Sequence, residues 1–205
     1  MTGPRRSTAT AEPFAGLNYA AIGATASDEV LSFPPAGFAC TQVHHRIGSG
    51  ARRFDIAGRS LMTWGVLRNA GIAVEDVEAE PADRASYGEE PQFLEDGTPW
   101  ITPGMTATLV LAPGAKPVLG PVKVVSIVDE PGRIGFTYGS RDGHPVQVEQ
   151  LLLLEHTDDD AVWLTVRTIS RPVTRRWRWT ARFRRLDQRS FDRRIVTALH
   201  PANAS

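Results

Sequence analysis

Five short apolar runs follow one another between residues 105 and 170, and they constrain the fold more than any other feature of the chain. They read MTATLVLA, PVKVVSIVDE, RIGFTYGS, VQVEQLLLLE and AVWLTVRTIS. Most of the breaks carry Pro-Gly or Asp-Gly pairs, namely Pro113-Gly114, Pro131-Gly132 and Asp142-Gly143. Such pairs favour tight turns because Pro presets φ and Gly tolerates positive φ. Strands joined by short turns pair with their sequence neighbours, so we predict an antiparallel meander.

Two helices and one further strand complete the prediction. In the run FACTQVHHRI, from Phe38 to Ile47, residues alternate with a period of two, which predicts a first strand. Apolar residues at helical spacing then predict an amphipathic helix of about five turns that ends before Gly71; they are Phe54, Ala57, Leu61, Trp64 and Leu67. A long C-terminal helix over 174–199 can begin only after Pro172. Residues 75–100 are acidic and proline-rich, so we predict a long loop there with at most a short strand.

This order of elements predicts an α+β fold. A curved antiparallel sheet of about six strands packs on the long C-terminal helix, as in helix-grip (START-like) proteins, with one further helix after the first strand. A chain of 205 residues, 41% of them hydrophobic, is long enough for one core. We therefore predict a single domain over 13–205, preceded by a disordered tail over 1–12.

Charge and cysteine content restrict the class of protein. Lys plus Arg and Asp plus Glu each number 23, so no overall field attracts the chain to nucleic acid or to an anionic membrane. No apolar run approaches the length of a membrane-spanning helix. The single cysteine, Cys40, fits a reducing compartment and predicts a cytoplasmic location. His44 and His45 are adjacent and would face opposite sides of a strand, so we predict no metal site, and no motif predicts a cofactor.

The segment GFTYGSRDGHPVQVEQ carries the candidate site residues of the meander. Phe136 and Tyr138 share one sheet face, whereas His144 lies beside Pro145 in a predicted turn. Glu149 shares its face with leucines of the following LLLL run. An unpaired buried carboxylate is costly, so Glu149 must be paired, hydrated or protonated. It either faces a wet cavity or holds a structural network, and Arg171 could pair with it or with a ligand carboxylate.

A basic ridge is predicted on the C-terminal helix, formed by Arg178, Arg182, Arg185 and Arg189. Such a ridge beside tryptophans could bind RNA phosphates and stack on bases. The neutral net charge favours instead a solvated face, with the acidic residues between 75 and 96 as a possible internal or intersubunit partner.

Several stretches of the chain together resemble one family. They are NYAAIGAT (18–25), GSGARRFDIAGRSLMTW (48–64), Pro103-Gly104, VVSIVDEPGRIGFTYGSRDGHP (124–145), Glu149, ISRP (169–172) and the arginine-rich C-terminal segment. They resemble the domain of unknown function nineteen-ninety family of bacteria and plants. The resemblance implies a single domain of helix-grip outline that holds an apolar ligand, and it implies no activity. Gln150 and Ile195 depart from the family pattern, which has an acidic pair and an aromatic residue there.

Three functional hypotheses follow. The first is a protein that binds a small apolar or amphipathic ligand in a cavity between the sheet and the C-terminal helix; its candidate residues are Trp64, Phe136, Tyr138, His144, Glu149 and Arg171. The second is an enzyme of unassigned reaction that uses His144 or Glu149, although no catalytic motif identifies one. The third is an RNA or protein interaction module that uses the basic ridge. No pattern predicts an oligomeric state.

Overall fold

The computed structural model describes residues 14–79, 94, 97–111, 119–173, 193–196 and 198–199. This part of the chain contains seven strands: β1 (Ala39–Ser49), β2 (Ile72–Glu78), β3 (Thr106–Leu111), β4 (Gly120–Glu130), β5 (Arg133–Ser140), β6 (Val146–His156) and β7 (Ala161–Pro172). Two α-helices, α1 (Ala51–Met62) and α2 (Gly65–Asn69), lie between β1 and β2. Two single 3-10 turns, Ala24–Ala26 and Asp28–Leu31, precede β1.

All seven strands belong to one curved antiparallel sheet in the order β1-β7-β6-β5-β4-β3-β2. The predicted meander is confirmed as β3 to β7, and the predicted first strand is β1, which pairs with β7. The prediction of about six strands was one short. The additional strand is β2, at the start of the predicted acidic loop; it pairs with β3 because Ile72 and Val74 can turn toward the core while Glu75 remains exposed.

The prediction of one continuous five-turn helix after β1 was wrong, because the helix is interrupted between α1 and α2. Trp64 adopts a left-handed backbone with φ 63°. The Thr63 hydroxyl donates to the carbonyl of Arg59 at 2.8 Å, and Arg68 Nη1 donates to the carbonyl of Thr63 at 2.9 Å, so local bonds stabilise the break. A side chain at Gly65 would lie 2.8 Å from the carbonyl oxygen of Ser60, which explains why glycine follows the break.

The sheet has two covered faces. We call the face that packs against α1 and α2 the helical face; with the helices it forms the main core, which includes Leu61, Trp64, Leu67, Phe136, Leu152, Leu154 and Val166. We call the opposite face the outer face, and residues 17–31, which lie across it, the N-terminal strap. Glu149, Leu151 and Leu153 alternate with the core residues of β6 and are buried on the outer face.

The long C-terminal helix falls mostly outside the described residues. Residues 193–196 are helical, and Ile195 and Leu199, which form one of the stripes expected for that helix, are buried in the main core. The basic ridge of Arg178, Arg182, Arg185 and Arg189, the tail over 1–12 and most of the acidic loop lie outside the described residues. Within the part of the chain that is described, no helix has both the length and the hydropathy to cross a membrane.

Candidate functional site

A line of hydrogen-bonded polar side chains crosses the apolar helical face. The Tyr138 hydroxyl donates to Gln150 Oε1 at 2.6 Å, and Gln150 Nε2 donates to the Thr168 hydroxyl at 2.7 Å. The register of β5, β6 and β7 places these three residues directly opposite one another. None is more than 3% exposed. The two bonds compensate for burying polar groups and orient the Gln150 amide.

Three aromatic rings lie at one end of this polar line. Trp64 meets Phe136 edge-on, with ring centroids 5.1 Å apart at 71°, and its centroid lies 6.3 Å from that of Tyr138. Phe136 and Tyr138 are neighbours on β5, with centroids 6.1 Å apart. We call Trp64, Phe136, Tyr138, Gln150 and Thr168 the interior site. The sequence prediction of a shared face for Phe136 and Tyr138 is therefore correct, and the fold adds Trp64 from the break between the helices.

The indole nitrogen of Trp64 is the unusual atom of the interior site. Trp64 is 1% exposed, and among the described residues its Nε1 has no hydrogen-bond partner. A buried donor without an acceptor costs about 1–3 kcal/mol. Buried polar groups in proteins are nearly always paired, so an unpaired one suggests a function or a missing partner.

Glu149 lies on the outer face, where the N-terminal strap donates four hydrogen bonds to its carboxylate. Its Oε2 accepts from the Tyr19 hydroxyl and from Gly23 N, each at 2.7 Å. Its Oε1 accepts from Thr25 N at 2.9 Å and from the Thr25 hydroxyl at 2.8 Å. The carboxylate is fully buried, so these four donors replace the water that it would otherwise bind. Glu149 therefore holds a structural network, which was one of the two roles expected for it.

A second buried charge, Arg167 on β7, holds the same strap. Its Nε donates to Gln42 Oε1 at 2.6 Å, its Nη1 donates to the carbonyl of Thr25 at 2.9 Å, and its Nη2 pairs with Asp28. Thr25 thus lies between a buried anion and a buried cation. The sequence prediction missed Arg167, although a charged residue between Thr165 and Ile169 on one strand face is a signal of the same kind as Glu149.

Tyr19 completes this network on the outer face. Its ring lies over Gly139 of β5, and its hydroxyl donates to Glu149. Burial raises the pKa of Tyr19 well above its usual range, and the negative charge of Glu149 and their hydrogen bond raise it further.

The raised pKa of Tyr19 predicts a loss of stability at alkaline pH. Above a pH of about 10 the unfolded chain releases this proton while the folded protein keeps it, so the contribution of Tyr19 falls by about 1.4 kcal/mol per pH unit. Below pH 10 the contribution is complete. We therefore expect the difference in unfolding free energy between wild type and Tyr19→Phe to shrink between pH 9.5 and 11, measured by urea denaturation. Because the other tyrosines are common to both proteins, a constant difference would contradict this prediction.

His144 and Arg171 lie apart from the interior site. His144 is buried in the connection between β5 and β6, where its Nδ1 accepts from Val146 N at 3.1 Å. Arg171 donates from Nε to Gln147 Oε1 at 2.7 Å, and its guanidinium lies 4.8 Å from the centre of the Phe38 ring. Arg171 therefore bonds with Gln147, while Glu149 bonds with the strap.

The six predicted site residues thus fall into separate places. Trp64, Phe136 and Tyr138 meet on the helical face, whereas Glu149 and Arg171 lie on the outer face, and His144 occupies a turn. Because Glu149 is engaged by the strap, the structure offers no support for a shared catalytic pocket of His144 and Glu149. Among the described residues, no three His, Cys, Asp or Glu side chains are grouped so that they could hold a metal ion.

Fold and site together define an α+β protein built on a curved antiparallel sheet, with an aromatic and polar interior site on one face and a strap on the other. Residues 18–198 match the family described as "Domain of unknown function (DUF1990)", and the chain belongs to that family. The NYAAIGAT segment at the start of this match supplies the donors to Glu149.

The chain is similar in sequence to a bacterial relative, and two solved structures align with its fold. A UPF0548 protein of Deinococcus radiodurans is 47% identical over 49 residues, which are 24% of this chain and 25% of the relative, so the match spans about a quarter of that protein. A hypothetical protein of Helicobacter pylori, jhp0584, has a similar fold, with a TM-score of 0.52 and 10% identity over 84% of this chain and 92% of its own. Ara h 8.0201 aligns with a TM-score of 0.46 and 11% identity, over 80% of this chain and 98% of its own.

Proposed function

We propose that this protein binds a small apolar or amphipathic ligand at the interior site, as helix-grip proteins do, and that it does so in the cytoplasm. The observation that carries the proposal is the buried Trp64 indole N–H, which finds no acceptor in the described part of the chain and lies beside two further aromatic rings and a polar line. Ligand sites are mostly apolar, with a few polar groups that orient the ligand, and the interior site has this composition.

The burial of the interior site also determines how a ligand would reach it. Trp64, Phe136 and Tyr138 are each at most 3% exposed, so a ligand enters only when a neighbouring side chain or segment moves. Binding of this kind is slower than diffusion allows, because the competent state is a minor one.

The proposal is tested by native mass spectrometry of the purified protein and by titration with 2-ethylnaphthalene, an apolar probe. We expect a co-purifying mass that is lost on denaturation, and saturable probe binding. Phe136→Leu should lower the affinity for the probe about three- to tenfold, because one aromatic contact is lost. Phe54→Leu is the matched control, since Phe54 is only half-buried and its ring contacts His156. Absence of both a co-purifying mass and probe binding would overturn the proposal.

A further inference from the structure

We propose that the ligand carries a neutral carbonyl oxygen, which accepts the indole proton of Trp64. This inference rests on the proposed function and specifies its ligand. A hydroxyl group would bring a donor of its own, which again needs an acceptor, whereas a ketone, ester or amide carbonyl is a pure acceptor at its oxygen. The indole N–H of Trp64, which has no acceptor among the described residues, therefore matches a carbonyl oxygen best.

The charge of the interior site argues against a carboxylate as the acceptor. Its five residues, Trp64, Phe136, Tyr138, Gln150 and Thr168, include no cationic side chain. A carboxylate placed among them would lose its hydration without gaining an opposite charge, and this desolvation is far more costly than that of a carbonyl. The two buried charges described above, Glu149 and Arg167, lie on the outer face and are engaged by the strap.

The backbone at Trp64 supports a role in recognition. A tryptophan with φ 63° and ψ 4° is rare and unfavourable, since left-handed conformations suit glycine and, less well, asparagine. The surrounding bonds of Thr63 and Arg68 hold this conformation at the break between α1 and α2, and the indole ring lies against Phe136 and Tyr138. Backbone strain and an unsatisfied donor therefore coincide at one residue, and both are features of binding sites rather than of ordinary core positions.

Two probes of nearly equal shape test the inference. 2-Acetonaphthone carries a carbonyl oxygen that 2-ethylnaphthalene lacks. We expect wild-type protein to bind the ketone about fivefold or more tightly, the gain of one buried neutral hydrogen bond. The Trp64→Phe variant should still bind both probes but should show no preference between them. Trp163→Phe is the control, because Trp163 lies on the outer face, stacked on His44, and should keep the preference.

The indole proton gives a second readout that does not depend on a variant. In ¹⁵N-labelled wild-type protein, the Trp64 Nε1–H resonance should lie further downfield with 2-acetonaphthone than with 2-ethylnaphthalene, because the two probes share the same ring and differ in the carbonyl oxygen. Equal affinities and equal resonance positions with the two probes would overturn the inference while leaving the proposed function intact. Failure of both probes to bind would overturn the inference, and together with the absence of a co-purifying mass it would overturn the proposed function as well.

Discussion

Glu149→Gln should lower the free energy of unfolding by about 2–5 kcal/mol, although the two side chains have almost the same shape. Each Glu149 oxygen accepts two hydrogen bonds from the strap. Whichever way the glutamine amide turns, its NH₂ group faces one hydroxyl and one backbone N–H. The hydroxyl can turn and accept, but the backbone N–H loses its acceptor, and the remaining bonds lose the strength that the carboxylate charge gives them. Each buried donor left without a partner costs about 1–3 kcal/mol.

This effect is measured by urea denaturation at neutral pH, with Glu155→Gln as the control. Glu155 also lies on β6, but its side chain is 31% exposed and pairs with the exposed Arg133, so its replacement should cost less than about 1 kcal/mol. Amide hydrogen exchange at Thr25 should accelerate in the Glu149 variant and not in the control, because the strap loses its anchor. Equal stabilities of the two variants would show that the strap is held by other contacts.

Gly139→Ala should lower the free energy of unfolding by about 2–6 kcal/mol. A Cβ atom at this position would lie 2.1 Å from the Tyr19 hydroxyl oxygen and 2.7 Å from two carbons of the ring. The ring must move away, which strains the packing and breaks its bond to Glu149. Overpacking of a buried site costs about 1–3 kcal/mol, and a hydrogen bond to a charged group contributes about 1.5–3 kcal/mol.

A double-mutant cycle with Tyr19→Ala separates this clash from a general effect of alanine on β5. Without the Tyr19 ring, the Cβ at position 139 has room, and alanine restricts the unfolded chain more than glycine does. In the Tyr19→Ala background we therefore expect Gly139→Ala to be neutral or stabilising by up to about 1 kcal/mol. A cost that is the same in both backgrounds would contradict the contact between Tyr19 and Gly139.

Local patterns predicted most of the sheet. Alternation and turn residues located the five meander strands and β1, because strand periodicity and turn chemistry act over a few residues. The same alternation showed that Phe136 and Tyr138 share a face and that Glu149 lies among buried leucines. The helix after β1 was predicted as continuous because Trp64 and Leu67 keep the helical spacing of the apolar stripe. The interruption of this helix depends on the left-handed backbone of Trp64 and on local hydrogen bonds, which the spacing of apolar residues does not reveal.

The partners of the buried polar groups were beyond prediction from the sequence. Tyr19, Gly23 and Thr25 bind a carboxylate that lies 124 to 130 residues later in the chain. The sequence showed that Glu149 needs partners, but Arg171 was the partner it suggested. That arginine stands two residues beyond Ile169, the residue opposite Glu149, and bonds with Gln147 instead.

By itself, the sequence determined the antiparallel meander, the two faces of its strands and the requirement that Glu149 be satisfied. These properties follow from residue spacing, turn chemistry and the cost of burying a charge, which are local or apply anywhere in a fold. Only the tertiary structure decided that the strap satisfies Glu149 and Arg167, and that Trp64 meets Phe136 and Tyr138 while its indole N–H has no acceptor within the described ranges. Which distant groups meet depends on how the sheet, the helices and the strap pack together, and local sequence patterns do not encode that packing.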